Sequence, residues 1–157
     1  MKILVVYYSR SGRSRIIAEA IAQKLKADLQ EIIPLKGYKG LFGFIRGGYQ
    51  ATRKKNPAIQ PLGRDLAAYD LIIFGTPIWG SRMSSPLRTL ITEQKSKIRK
   101  YAFFCTAGSS EQQSAVDELR ELIGSAPTAI MTLTSHEVTQ GRFQEKLDAF
   151  TAGIPAS

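Results

Sequence analysis

The hexapeptide Ser9-Arg10-Ser11-Gly12-Arg13-Ser14 gathers three hydroxyls, two guanidinium groups and one conformationally permissive glycine. Those groups together suit an anion. Before it, Ile3-Leu4-Val5-Val6-Tyr7-Tyr8 is β-branched and aromatic; after it, Ile16, Ile17, Ala20, Ile21 and Leu25 recur at helical spacing. The order is therefore strand, tight loop, helix. A loop in that position offers N–H groups that the helix leaves unpaired and the positive end of the helix dipole, so a phosphate is the ligand it fits. A plainer expectation, a turn at Gly12 and a helix cap at Ser14, explains the same residues without a ligand.

The elements that must hold this loop follow the same alternation. Residues 28–33 read as a short strand ending at Pro34, and residues 70–75 as a continuously apolar strand of the kind covered by helices on both faces. Thr76-Pro77-Ile78-Trp79-Gly80-Ser81 is expected to break that strand, with a helix over 84–93 after it. Strand 101–105, loop Thr106-Ala107-Gly108-Ser109-Ser110 and helix 111–123 repeat the unit, with Gly124 as its C-terminal cap. A strand over 128–134 and a helix over 143–152 finish the chain. Five strands alternating with helices predict an α/β fold, a parallel sheet in a three-layer α-β-α sandwich. Residues 35–61, rich in glycine, aromatics and cations, are expected to form loop, helix near 41–53, and loop.

Ligands of such a sheet sit beyond the carboxyl ends of its strands. The segments to compare are 9–14, 76–81 and 106–110. No G-x-x-x-x-G-K-S/T occurs, and no G-x-G-x-x-G follows the first strand, which removes two nucleotide-binding schemes. A phosphoacceptor domain would need acids where Tyr8-Ser9 and Gly75-Thr76 stand. The remaining pattern resembles the flavodoxin-like family. Its phosphate loop, Ser/Thr-x-Ser/Thr-Gly-x-Ser/Thr, is matched by Ser9, Ser11, Gly12 and Ser14, and its flavin loops by Thr76-Pro77-Ile78-Trp79-Gly80 and Thr106-Ala107-Gly108. The segment from Thr76 to Met83 also looks similar to that of NAD(P)H:quinone oxidoreductases in the superfamily.

The resemblance implies strand order 2-1-3-4-5 and a noncovalent FMN bound by Ser9, Arg10, Ser11, Gly12, Arg13, Ser14, Thr76, Pro77, Ile78, Trp79, Gly80, Thr106, Ala107, Gly108 and Ser109. Trp79 is expected against one flavin face and the Gly80 backbone at the ring edge. It implies a redox protein: a shuttle, or a reductase taking electrons from NAD(P)H, with an acidic redox partner or a small quinone-like substrate. No residue is placed as a proton donor, so no catalytic side chain is assigned, and flavin chemistry asks mainly for orientation and electrostatics.

Composition bounds the rest. A chain of 157 residues predicts one domain, residues 1–157, carrying the basic segment 35–61 as an insertion. With one cysteine, Cys105, and one histidine, His136, no bridge and no metal cluster built on them is expected; the reading is a cytoplasmic protein without a leader. The net charge of +9 is uneven: residues 35–64 hold seven cations and no acid, whereas beyond residue 100 three cations face seven acids. Cations interleaved with aromatics would also serve a binding module for nucleic acid or an anionic membrane. A solvated basic face over core aromatics is the preferred expectation.

Overall fold

The computed structural model describes residues 1–108 and 112–155. Strand β1 (Ile3–Tyr7) pairs in parallel with β2 (Asp28–Glu31) on one side and β3 (Leu71–Trp79) on the other; β5 (Tyr101–Ala107) and β6 (Ile130–Thr134) continue the sheet. Its order, β2-β1-β3-β5-β6, is the flavodoxin-like 2-1-3-4-5 order with a two-residue strand β4 (Arg82–Met83) added on β3. Alternate side chains go to opposite faces. Leu4, Val6, Ile72, Phe74, Tyr101 and Phe103 join one core with Leu87, Leu90 and Leu119. Val5, Tyr7, Leu71, Ile73 and Phe104 join the other with Ile17, Ile21, Leu147 and Phe150. Helices α2 (Gly40–Thr52), α3 (Ser85–Gln94) and α4 (Gln113–Ile123) serve the first face; α1 (Arg13–Leu25), α5 (Ser135–Thr139) and α6 (Gln144–Ala152) serve the second.

Two local expectations are corrected. Thr76-Pro77-Ile78-Trp79 does not break its strand: β3 runs on to Trp79 and turns back through Gly80-Ser81, both at positive φ (53° and 63°), to pair Ile78 with Met83 and Trp79 with Arg82. Two left-handed residues match the twist of a tight hairpin. Proline is tolerated inside β3 because β1 has its last partner at Tyr7↔Gly75, so no β1 residue is paired with Pro77. Short α5 was not foreseen either. Its capping box, Thr134 Oγ1 accepting from Glu137 N–H and Glu137 Oε2 accepting from Thr134 N–H, is a local signal in Thr-Ser-His-Glu.

Cys105 sits in β5 with no solvent exposure, and burial pushes its thiol from 9.0 up to about 12. Burial likewise raises Tyr101 from 10.0 to about 12. The folded state holds both protons to higher pH than the unfolded chain, so stability is complete below about pH 9 and drains away as pH climbs toward 12. Urea midpoints should stay level through neutral pH and fall in that alkaline window. Iodoacetamide should leave native Cys105 untouched and label it once guanidinium unfolds the chain; native labelling at a free thiol's rate would contradict this burial.

Candidate functional site

At the carboxyl ends of β1, β3 and β5 lies a groove of about 180 Å³, lined by Arg10, Ser11, Arg13, Phe44, Pro77, Ile78, Trp79, Thr106, Ala107, Gly108 and Ser135. Larger depressions exist, about 490 Å³ along β6 and α6 and about 450 Å³ beside Ile59 and Lys97. Neither joins a helix N-terminus to an apolar slot, so chemistry rather than volume selects the groove.

Its basic end is the loop before α1. Gly12 is the N-cap, at φ 92° and ψ −9°, and makes no side-chain cap. The expected cap at Ser14 is therefore replaced: Ser14 is buried inside the helix, and its hydroxyl meets Thr106 Oγ1 at 3.0 Å, tying the first loop to β5. Ser9 Oγ accepts from Gly12 N–H at 3.0 Å and Arg15 N–H at 3.3 Å, which holds the turn closed. That leaves the Arg13 and Ser14 N–H groups without a partner inside the helix, at the end where its dipole is positive. Arg13 Nη1 donates to Ser11 Oγ at 3.2 Å. Arg10 turns the other way, donating from Nε to Tyr38 O at 2.8 Å and from Nη2 to Gly40 O at 3.2 Å, and lies 5.4 Å from the Phe44 ring centre. It ties the anion loop to the start of α2.

The apolar end comes from β3 and β5. Trp79 is only 9% exposed: Tyr8 meets it edge-on at 5.5 Å, Tyr38 tilts against it at 4.9 Å, and Gly47 of α2 lies over its six-membered ring. Trp79 therefore borders the groove from within an aromatic cluster. Burial, with the Tyr38 ring beside it, pushes the Tyr8 hydroxyl well above its usual range, so it stays a neutral member of that cluster.

The groove gathers Arg10, Ser11, Arg13, Pro77, Ile78, Trp79, Thr106, Ala107 and Gly108 from the expected set, but not all of it. Ser9, Gly12 and Ser14 shape the loop from behind. Thr76 is fully buried, accepting from Ser84 N–H at 3.0 Å with Ser84 Oγ at 2.6 Å. Gly80 forms the hairpin turn beneath the end of α2, where an added Cβ would lie 2.8 Å from Thr52 Oγ1. The β3 hairpin carries it away from the lining. Ser109 lies outside the described residues, as do Ser110 and Glu111. Two lining residues escaped the sequence reading. Ser135, whose hydroxyl donates to Ala107 O at 3.2 Å, follows β6 and was findable by extending the strand-end rule one strand further. Phe44 had no such signal, because only the docking of α2 brings it to the groove.

A basic, hydroxyl-rich helix start facing an apolar slot, across a parallel sheet in this order, defines a flavodoxin-like protein. Solved structures agree. The chain is 26% identical to a flavoprotein from Lactobacillus acidophilus solved in complex with FMN, with a TM-score of 0.69 over 88% of this chain and 97% of that one. It is 20% identical to oxidised flavodoxin 2 from Bacillus cereus (TM-score 0.58, 98% and 100% covered) and 18% identical to a flavodoxin, WrbA-like protein from Agrobacterium tumefaciens (0.59, 97% and 96%). These two show the fold. Residues 1–139 match the family described as NADPH-dependent FMN reductase, and the chain belongs to that family. FMN is the cofactor that membership assigns, and NADPH the reductant in its name. The lining fits that cofactor: hydroxyl, guanidinium and helix N–H groups suit a phosphate, and Phe44, Pro77, Ile78 and Trp79 suit a flat ring system. Among the described residues no helix is long and apolar enough to cross a membrane.

Proposed function

We propose that this groove holds FMN and that the protein passes reducing equivalents from NADPH to an oxidised acceptor, a small quinone-like molecule or a redox partner protein. The observation that carries the reading is the meeting of Ser11 and Arg13 at a helix start with Pro77, Ile78 and Trp79 in one groove. FMN supplies the hydride and electron chemistry when bound. The chain's own residues bind and orient it. Arg13, Ser11 and the first N–H groups of α1 hold the phosphate, the remaining residues of 9–14 keep that loop in shape, and Thr106, Ala107 and Gly108 wall the ring. Thr76 and Gly80 act through the β3 hairpin, by fixing Pro77 to Trp79. On the same reading residues 1–157 form one domain with 35–61 as its insertion, and the buried thiol suits a reducing cytoplasm.

Titration with FMN followed by visible absorbance should give micromolar affinity or better. In Ser11→Asp, a like charge opposes the phosphate and a charge-assisted bond is lost, so affinity should fall roughly a hundredfold. The exposed position leaves the fold intact. No binding by the wild-type chain, or full affinity in Ser11→Asp, refutes this site. Anaerobic NADPH should then bleach the bound flavin; bleaching that needs an added reductase would make the protein a shuttle.

A further inference from the structure

Helix α2 is built inside out. Its inward stripe is Gly43, Gly47 and Ala51, while Leu41, Phe42, Phe44, Ile45 and Tyr49 are exposed, Phe42 to 87% and Leu41 to 71%. The cause is close approach. A Cβ on Gly43 would lie 2.3 Å from the Tyr38 carbonyl carbon, and one on Gly47 would lie 3.1 Å from Trp79 Cζ3. Only small residues fit beneath the helix, so its bulk must point outward, over an arc of roughly 160° at 100° per residue. Leu35, before the helix, is also exposed, to 67%. The preferred sequence expectation, a solvated basic face over core aromatics, does not describe this surface, because most of its aromatics stand in solvent.

Cations surround that face. Lys36 and Lys39 lie exposed before the helix, and Arg53, Lys54 and Lys55 exposed after it. Arg53 sits 6.0 Å from the Tyr49 ring, and Arg10 sits 5.4 Å from the Phe44 ring. No acid occurs from residue 35 to residue 64 to neutralise them.

We propose that α2 lies in the surface of an anionic lipid bilayer, its phenylalanine, leucine and isoleucine side chains among the acyl chains and its flanking cations at the headgroups. The composition is that of an interfacial helix, an apolar face with basic margins. A second copy of the chain fits worse. Packing α2 on α2 in either direction would bring five exposed cations of one copy against those of the other with no acid between them. An acidic partner would satisfy the charge, but encounters of that kind rest on small, polar, charge-steered contacts and leave the protruding apolar row unexplained. Because Phe44 belongs to both the apolar face and the groove lining, the bilayer would lie beside the groove mouth.

Flotation with vesicles tests this on the full chain without added flavin, so its result is independent of the FMN reading. The protein should float with vesicles of phosphatidylcholine and phosphatidylglycerol in equal parts, float poorly with phosphatidylcholine alone, and release as salt rises. Phe42→Asp, at a position fully outside the core and the groove, should lower the bound fraction roughly tenfold or more, and Lys36→Glu with Lys39→Glu should remove the preference for the anionic lipid. Three results would overturn the proposal. One is no flotation at low salt. Another is flotation unchanged in Phe42→Asp, which leaves only charge, as an acidic partner would use. The third is a solution mass of two chains that Phe42→Asp halves, which makes the face a self-interface.

Discussion

Truncating Glu118 to alanine should lower the unfolding free energy by about 3–5 kcal/mol, the usual cost of stranding one member of a buried ion pair. Glu118 Oε1 accepts from Arg88 Nε at 2.6 Å, and both side chains are 3% exposed. The same guanidinium reaches Ala51 O at 3.3 Å and Lys55 O at 3.4 Å, the end of α2 and the residues after it, and Met83 O at 3.5 Å on β4. It therefore fastens α2 and the β3 hairpin to α3, and the groove depends on both. Without Glu118 the Arg88 charge keeps these long bonds and one to Ser85 Oγ at 3.4 Å, all to neutral oxygens. For a domain of this size the loss corresponds to a melting temperature lower by about 6–20 °C. The pair is not ideally satisfied, since Glu118 Oε2 is buried with no partner. Replacing both residues together, Arg88→Met with Glu118→Leu, should accordingly recover much of the loss. Recovery should stop short of wild type, because the α2 and β4 carbonyls lose their donor. Urea unfolding reads all three variants; a Glu118→Ala protein within about 1 kcal/mol of wild type would show that the pair does not hold these elements together.

A methyl group at Gly75 should cost about 3 kcal/mol, at the upper end of overpacking penalties. An added Cβ would lie 2.0 Å from Phe104 Cζ, 2.4 Å from Cε1 and 2.8 Å from Cε2. Neither partner can retreat easily. Gly75 pairs with both Tyr7 and Phe104 in the middle of the sheet, and Phe104 is fully buried among the side chains that cover α1. Displacing β3 or β5 here moves Pro77 and Thr106, two residues further along each strand, so FMN affinity should fall along with stability. Phe104→Leu removes the ring atoms responsible, and Gly75→Ala with Phe104→Leu should be more stable than the sum of the single losses predicts. A double-mutant cycle measured by urea unfolding gives the coupling. Strict additivity would mean that the glycine is required for some other reason.

Much of this molecule was legible in order along the chain because its signals are local. Ile3 to Tyr8, Leu71 to Phe74 and Tyr101 to Cys105 carry strand composition, the helices carry their periods, and Gly12 and Gly124 sit at the left-handed positions that favour glycine. The hairpin at Gly80-Ser81 and the capping box at Thr134 and Glu137 rest on equally local signals. Glu118 stood in phase with Ala115, Leu119 and Leu122 on α4, so its burial had a periodic signature; that Arg88 answers it did not.

Local chemistry in the sequence determined the strand-loop-helix order, the basic hydroxyl loop at the start of α1 and the positive charge of residues 35–64, since each depends on neighbours within a few positions. Only the tertiary structure decided which face of α2 is buried, that Trp79 shares its ring with Tyr8 and Tyr38, and that Phe44 and Ser135 reach the groove. Those outcomes depend on how closely two distant backbones approach. That distance is set by side chains from both segments at once, and neither segment carries it alone.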